Sequence, residues 1–399
     1  MSATELRPTR AEIRGRLEAV AGKARERGID ALAVLDPANV YYLSGFRTTL
    51  HTRLTAVALR TDAPAEALLI APSVDRRLAL EPVWYPSLLE RTEIYYEGAP
   101  AGGVLASEPG PLLDRVVQNG DTLGVDLATA GYGQVGMLAG RYQGARIADA
   151  SELLHDARRV KSAFELAALR RANAVAITAL SQVPQLLHAA LSEVELATAL
   201  DGIALAEGAD GFAYPTLIGF GPKSLAPHAP PTIRQLERNQ LVTIAFGPTV
   251  AGYCADIVRT FCYGSPPERA VDSGRQVVEV QAAALGVVRA GASAGELMQA
   301  ANRTIARLFP GAPVAGRAGH SLGLTIHETP SLTPDSAVRL EPDMVLAIEP
   351  GTPASPMEGI GLYRHCDVVR VTADGYELLT PLERGLLVVP MQATPEGMA

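Results

Sequence analysis

Leu241-Val242-Thr243-Ile244-Ala245-Phe246 and, a few residues on, Asp256-Ile257-Val258-Arg259-Thr260-Phe261 decide how the second half of this 399-residue chain is read. Both runs are apolar and β-branched, so Leu241 to Phe246 and Gly252 to Phe261 read as paired strands, with Gly247 to Ala251 as the connection. Alternation puts Ala245 on one face with Thr243 and Gly247, and Asp256 on one face with Cys254, Val258, Thr260 and Cys262. A carboxylate in so apolar a strand is costly to bury alone. Asp256 therefore either faces solvent, pairs with an arginine, or points into a polar pocket.

Further out, Val345 to Ile348 reads as a strand ending in Glu349-Pro350-Gly351, and Asp367 to Val371 as another, entered through Tyr363-Arg364-His365-Cys366. Extended backbone would put Arg364 and Cys366 on one face and His365 and Asp367 on the other. His320 sits in Gly319-His320-Ser321-Leu322-Gly323, where glycines allow a ligand to approach the backbone closely. Ser162-Ala163-Phe164-Glu165, Ser192-Glu193-Val194-Glu195 and Ser293-Ala294-Gly295-Glu296 have capping-box form, each opening a helical period. Helices grouped apart from largely antiparallel strands indicate an α+β domain.

The N-terminal part alternates instead. Arg10 to Gly28 has helical spacing, Ala31 to Leu35 suits a buried strand, and Asp36-Pro37-Ala38-Asn39 turns into a second helix. Ala56 to Leu59, Ala67 to Ile70 and Thr122 to Val125 are further strands, which makes this an α/β domain. A second unit opens between Ser151 and Arg159, and the domains are set at 1–158 and 159–399.

A net charge of −8 excludes a basic nucleic-acid-binding surface, and no apolar run approaches the roughly 20 residues that cross a bilayer. Met1 to Arg16 lacks the apolar core of a signal peptide. Three cysteines, an odd number, fit a reduced protein and not a disulfide scaffold; the expected location is the cytoplasm.

Taken together, the 244–247, 256–260, 319–323, 348–351 and 364–367 motifs resemble the creatinase, aminopeptidase P and prolidase family, and the resemblance covers nearly the whole chain. It implies a pita-bread catalytic domain after a creatinase-type N-terminal domain. The peptidases of that family bind two metals through two Asp, one His and two Glu, and the matching positions here are Ala245, Asp256, His320, Glu349 and Cys366. Two of the five are therefore not the expected carboxylates. Gly319-His320-Ser321 and Tyr363-Arg364-His365-Cys366-Asp367 look closer to creatinase. His228, in a Gly-Pro-x-Ser-x-x-Pro-His frame from Gly221, matches the family's proton-handling histidine, a task suited to imidazole. His51-Thr52-Arg53 resembles the segment whose arginine reaches a partner's substrate carboxylate across a dimer.

The expectation is a creatinase-like hydrolase that cleaves a C–N bond in a small carboxylate-bearing substrate without a metal cofactor. His228, Glu349, His320 and Asp256 would be catalytic; Arg53, His327, Arg364 and Cys366 would bind substrate. The working unit would be a homodimer with shared sites. A second carboxylate-binding arginine expected beyond His327 falls near Ser331, and the glutamate expected beside Arg259 is Val258, so creatine itself is not the expected substrate. The alternatives are a single zinc or iron held by Asp256, His320, Glu349 and Cys366 in a peptidase or amidohydrolase, an elimination lyase, and an inactive binding protein. Cys366 reads either as a nucleophile or ligand, or as an inert buried group.

Overall fold

The structure is a computed structural model that describes residues 6–50, 53–97, 108–313 and 315–391. His51, Thr52 and the start of the Met1–Arg16 stretch lie outside the described residues. The chain divides into two compact units, one of Arg7–Arg158 and one whose main span is Arg159–Ala399.

In the first unit, helix α1 (Arg10–Glu26) is capped by Thr9 and buries Ile13, Leu17, Val20 and Ala21, residues three or four apart that form one stripe. Strand β1 (Ala31–Val34) leads into α2 (Pro37–Ser44), whose cap Asp36 accepts from Ala38 N and Asn39 N. The sheet is completed by β2 (Ala56–Arg60), β3 (Leu68–Pro72), β4 (Arg91–Tyr95), β5 (Thr122–Val125) and β6 (Arg146–Asp149), in the order β4-β3-β2-β1-β5-β6. Parallel pairing of β1 with β5 and antiparallel pairing with β2 make it a mixed α/β layer. Short helices α3 (Arg76–Leu80), α4 (Gly110–Leu113) and α5 (Tyr132–Arg141) fill the connections, and α6 (Ser151–Arg159) ends the unit.

The second unit opens with α7 (Ala163–Leu180), then α8 (Val183–Leu186) and α9 (Glu193–Ala206); α7 and α9 each have a complete capping box, Ser162 with Glu165 and Ser192 with Glu195. Strands β7 (Gly211–Phe212), β8 (Leu217–Phe220), β9 (Gln240–Phe246), β10 (Pro248–Val250), β11 (Tyr253–Cys254) and β12 (Ile257–Tyr263) follow. Helices α10 (Glu268–Leu285) and α11 (Ala294–Leu308) separate these from β13 (Gly319–Ser321), β14 (Glu328–Ser331), β15 (Val345–Ile348), β16 (Pro356–Met357), β17 (Gly361–Leu362), β18 (Asp367–Val371), β19 (Tyr376–Leu378) and β20 (Leu387–Val389). One sheet runs β20-β12-β9-β8 and another β14-β13-β15-β18-β19. A bridge between Val258 and Cys366 links them. Helices α10 and α11 back the second sheet, packing Val280, Leu297 and Met298 against Leu346, Ile348 and Val369. Among the described residues no helix is long and apolar enough to cross a membrane.

The single strand expected from Gly252 to Phe261 is broken at Ala255-Asp256. Cys254 N donates to Gly323 O at 2.8 Å and Ala255 N to Pro248 O at 2.9 Å, which draws the backbone off the ladder before β12 begins. The expected plain connection at Gly247 to Ala251 carries β10, paired with β7 and β11.

Candidate functional site

The site forms where two sheets of the second unit, β20-β12-β9-β8 and β14-β13-β15-β18-β19, meet. Asp256 is delivered by the break before β12, His320 by β13 and Glu349 by the end of β15. Antiparallel pairing sets Gly319 opposite Ile348 and His320 opposite Ala347, so the imidazole and the Glu349 carboxylate come from neighbouring strands. Gly319 is required there: a Cβ on it would lie 1.9 Å from Ala347 O.

His320 Nε2 lies 3.5 Å from Asp256 Oδ2 and 3.7 Å from Glu349 Oε1. Burial of His320 opposes its protonation, yet the hydrogen bond and charge of Asp256 and the charge of Glu349 hold its pKa above the ordinary value. The other oxygen of Asp256 accepts from the Tyr214 hydroxyl at 2.8 Å. Burial, together with the adjacent Asp256 charge, pushes the Tyr214 phenol well up, so Tyr214 is a proton donor to Asp256 at neutral pH. Glu349 Oε2 accepts from Arg364 Nη2 at 3.1 Å, and Arg317 approaches Oε1 at 3.6 Å. The rings of His320 and His327 meet edge to face, 4.4 Å between centroids. His327 is held below its usual pKa by burial first, then by the charges of His320, Arg317 and, more weakly, His228.

His228 lies on an exposed turn after Gly221–Leu225. That turn is pinned to β17: Ser224 Oγ accepts from Leu362 N at 2.7 Å and donates to Gly221 O at 2.7 Å. Its charge reaches His327, and its neighbours Pro227 and Ala229 line a small, partly open pocket with Leu217, Thr243, Ala245 and Arg364. Cys366 is fully buried and its thiol points at Asp256 O, 3.6 Å away. Burial and the charges of Asp256 and Glu349 push it well above the ordinary thiol value, more than Arg364 offsets. Cys366 is a protonated thiol here, which favours the inert buried reading over the nucleophile. Arg53 is exposed in the first unit, bonded to Glu97 at 2.6 Å.

Asp256, His320, Glu349, Arg364 and His327 are thus brought together, with Cys366 behind Asp256. Tyr214 and Arg317 were not found by sequence reasoning. Tyr214 follows a two-residue strand and is 42 positions from Asp256, and Arg317 lies in an irregular segment, so neither has a periodicity that marks it.

Two domains of this kind, with a histidine and two carboxylates at a junction of curved sheets, define a creatinase-type N-terminal domain joined to a pita-bread hydrolase domain. The creatinase/prolidase N-terminal domain matches residues 16–160, and metallopeptidase family M24 matches residues 167–373. The chain belongs to metallopeptidase family M24. It is 26% identical to a putative dipeptidase of Bacillus subtilis over 94% of this chain and 99% of that protein. It is 27% identical to the Xaa-Pro dipeptidase of Pyrococcus furiosus over 93% of this chain and 99% of the relative. Among solved structures, dipeptidase PepE of Mycobacterium ulcerans superposes with a TM-score of 0.83 at 25% identity, covering 96% of this chain and all of that one.

Membership in a metallopeptidase family corrects the expectation of a metal-independent enzyme without a cofactor. That expectation counted the carboxylates missing at Ala245 and Cys366 and gave too little weight to the donors that remain. Among the described residues no three His, Cys, Asp or Glu side chains stand gathered as a ready-made metal site. The five-ligand set for two ions is incomplete: Ala245 offers no donor, and Cys366 puts a buried thiol where a carboxylate is expected. One ion does fit the donor chemistry. Zinc bonds of about 2.0–2.2 Å in a tetrahedron separate donors by about 3.3–3.6 Å, close to the two spacings around His320 Nε2. Arg364 holds Oε2 of Glu349, and Oε1, which faces His320 at 3.7 Å, has only the longer approach of Arg317 at 3.6 Å beside it.

Proposed function

We propose that the chain is a dipeptidase-like hydrolase that cleaves the C–N bond of a small carboxylate-bearing substrate at a site for one divalent ion. The observation that carries this reading is the convergence of Asp256 and Glu349 on His320 Nε2, at 3.5 and 3.7 Å. Asp256 Oδ2, His320 Nε2 and Glu349 Oε1 would hold the ion, three protein ligands with a position left open, as catalytic sites require. An ion held there would supply positive charge beside the scissile carbonyl. Tyr214 donates to the far oxygen of Asp256 and fixes which oxygen faces His320. His228, on its pinned turn beside the pocket, takes the proton of the attacking water and returns it to the leaving nitrogen. Arg364 and His327 bound the space where substrate sits, and Cys366 fills volume behind Asp256.

The names of the Bacillus and Pyrococcus relatives support a dipeptide substrate. A homodimer that offers Arg53 to the neighbouring copy belongs to the same proposal. Sedimentation of the wild type and of Arg53→Ala, with KM measured on each, tests that part.

The test of function is hydrolysis of a dipeptide panel by the full chain loaded with zinc, manganese or iron. Turnover that falls by about 10²–10⁴ in His228→Ala, with substrate binding within a few-fold, is expected. Turnover that survives His228→Ala and His320→Ala alike contradicts the reading.

A further inference from the structure

We infer that the pocket bounded by Ala245 and Arg364 is a subsite that takes a carboxylate of the substrate and excludes a free ammonium group, with Arg364 the residue that selects between them. The inference deepens the hydrolase reading above and rests on it, narrowing the substrate from a plain dipeptide to one whose acyl end carries a carboxylate in place of the free amine.

The lining carries the argument. Leu217, Ile218, Gly219, Thr243 and Ala245 are small or apolar, and Arg364 is the one charged side chain among the residues that line this pocket. Thr243 has its hydroxyl committed to Leu362 O. The nearest carboxylates are engaged elsewhere. Asp256 has Tyr214 on one oxygen and His320 beside the other, and Glu349 has Arg364 on one and Arg317 beside the other. A substrate ammonium entering here meets a guanidinium and no uncommitted carboxylate.

Arg364 is placed to do the reverse. Its backbone is clamped on both sides by Thr260, whose hydroxyl accepts from Arg364 N at 3.0 Å and donates to Arg364 O at 2.8 Å. Its side chain is about one quarter exposed and makes one side-chain hydrogen bond, to Glu349, out of five N–H donors. A guanidinium with donors in hand and a fixed backbone suits two-point capture of a carboxylate. Its partner Glu349 has Arg317 as a second countercharge, so the arginine is not neutralised by that one carboxylate.

The experiment compares two compounds on the metal-loaded full chain: Ala-Pro, with a free amine, and succinyl-Pro, in which a carboxylate-bearing acyl chain replaces it. Calorimetric affinity and kcat/KM are measured for wild type, Arg364→Met, Arg364→Lys and Ala226→Asp. The wild type is expected to favour succinyl-Pro by about tenfold or more. Arg364→Met loses that preference and Arg364→Lys keeps part of it, because charge survives while the planar fork does not. Ala226→Asp, which adds a carboxylate to the lining away from the ion's donors, shifts the preference toward Ala-Pro without touching Arg364. A wild type that favours Ala-Pro, or a preference unchanged in both Arg364→Met and Ala226→Asp, overturns the inference. Arg364-dependent binding of succinyl-Pro without turnover supports the subsite while the hydrolase reading fails. Turnover of both compounds with no Arg364 dependence does the opposite.

Discussion

Two arginine–carboxylate pairs sit on opposite faces of the same backbone, and they do different work. Behind the sheet, Arg259 and Asp367 are fully buried and 2.6 Å apart. Arg259 also donates to the carbonyls of Val258, Cys366, Thr380, Leu382 and Glu383, while Asp367 accepts from Thr380 Oγ1 and from Arg384. On the pocket side, Arg364 holds Glu349 through one contact and has donors to spare. Satisfaction separates scaffold from site. A buried charge with every donor committed fixes the junction of the two sheets, and a half-committed one is available to a ligand.

The sharpest way to break that comparison is to cut the buried pair. Asp367→Ala leaves the Arg259 guanidinium buried without its carboxylate, and a loss of about 3–5 kcal/mol in urea unfolding is expected. A loss below about 1 kcal/mol would show that Arg259 is sustained by its carbonyl partners alone. On the pocket side the expected effect is smaller and leaves the fold in place. Tyr214→Phe removes the hydrogen bond to Asp256 Oδ1, and metal affinity in a chelator competition is expected to fall about 10–100-fold at unchanged stability. Equal affinity would remove Tyr214 from the site. The smallest effect belongs to a solvent-facing pair of the same chemistry. Glu377 is hydrogen-bonded first by Arg170 and also by Arg370, which lowers its pKa to about 2. A folded pKa below the unfolded one gives stability that is full above the unfolded value of about 4.3 and is lost as pH falls toward 2. Glu377 is about one third exposed, so Glu377→Gln is expected to cost less than about 1 kcal/mol at pH 7 and only a small remainder of that at pH 2, where the folded-state carboxylate is half protonated, measured by thermal unfolding.

Strand periodicity made much of this legible in advance. The alternation through Arg364, His365, Cys366 and Asp367 put Arg364 and Cys366 toward the pocket and the other two behind it, and the structure has Arg364 on Glu349 while His365 and Asp367 meet at 3.2 Å near Arg259. The capping serines and Asp36 were likewise readable, because a cap is a local hydrogen bond within three residues. What was not readable depends on tertiary approach. The break at Asp256 is imposed by Gly323 O and Pro248 O, neither adjacent in sequence. The thiol state of Cys366 was left open between a nucleophile or ligand and an inert buried group, because the sequence places Arg364 beside it but does not show the larger opposing influence of burial, Asp256 and Glu349. Metal dependence was misjudged for a related reason: absent ligands are visible in a sequence, whereas the spacing of the remaining ones is not.

The central claim is one ion on three ligands, with Ala245 and Cys366 closing the second position. Native mass spectrometry of the full chain, loaded with excess zinc and desalted, tests it directly, with His320→Ala as the control. One ion per chain, lost in His320→Ala, is the result the account predicts. Two ions per chain, or one that persists in His320→Ala, would contradict it.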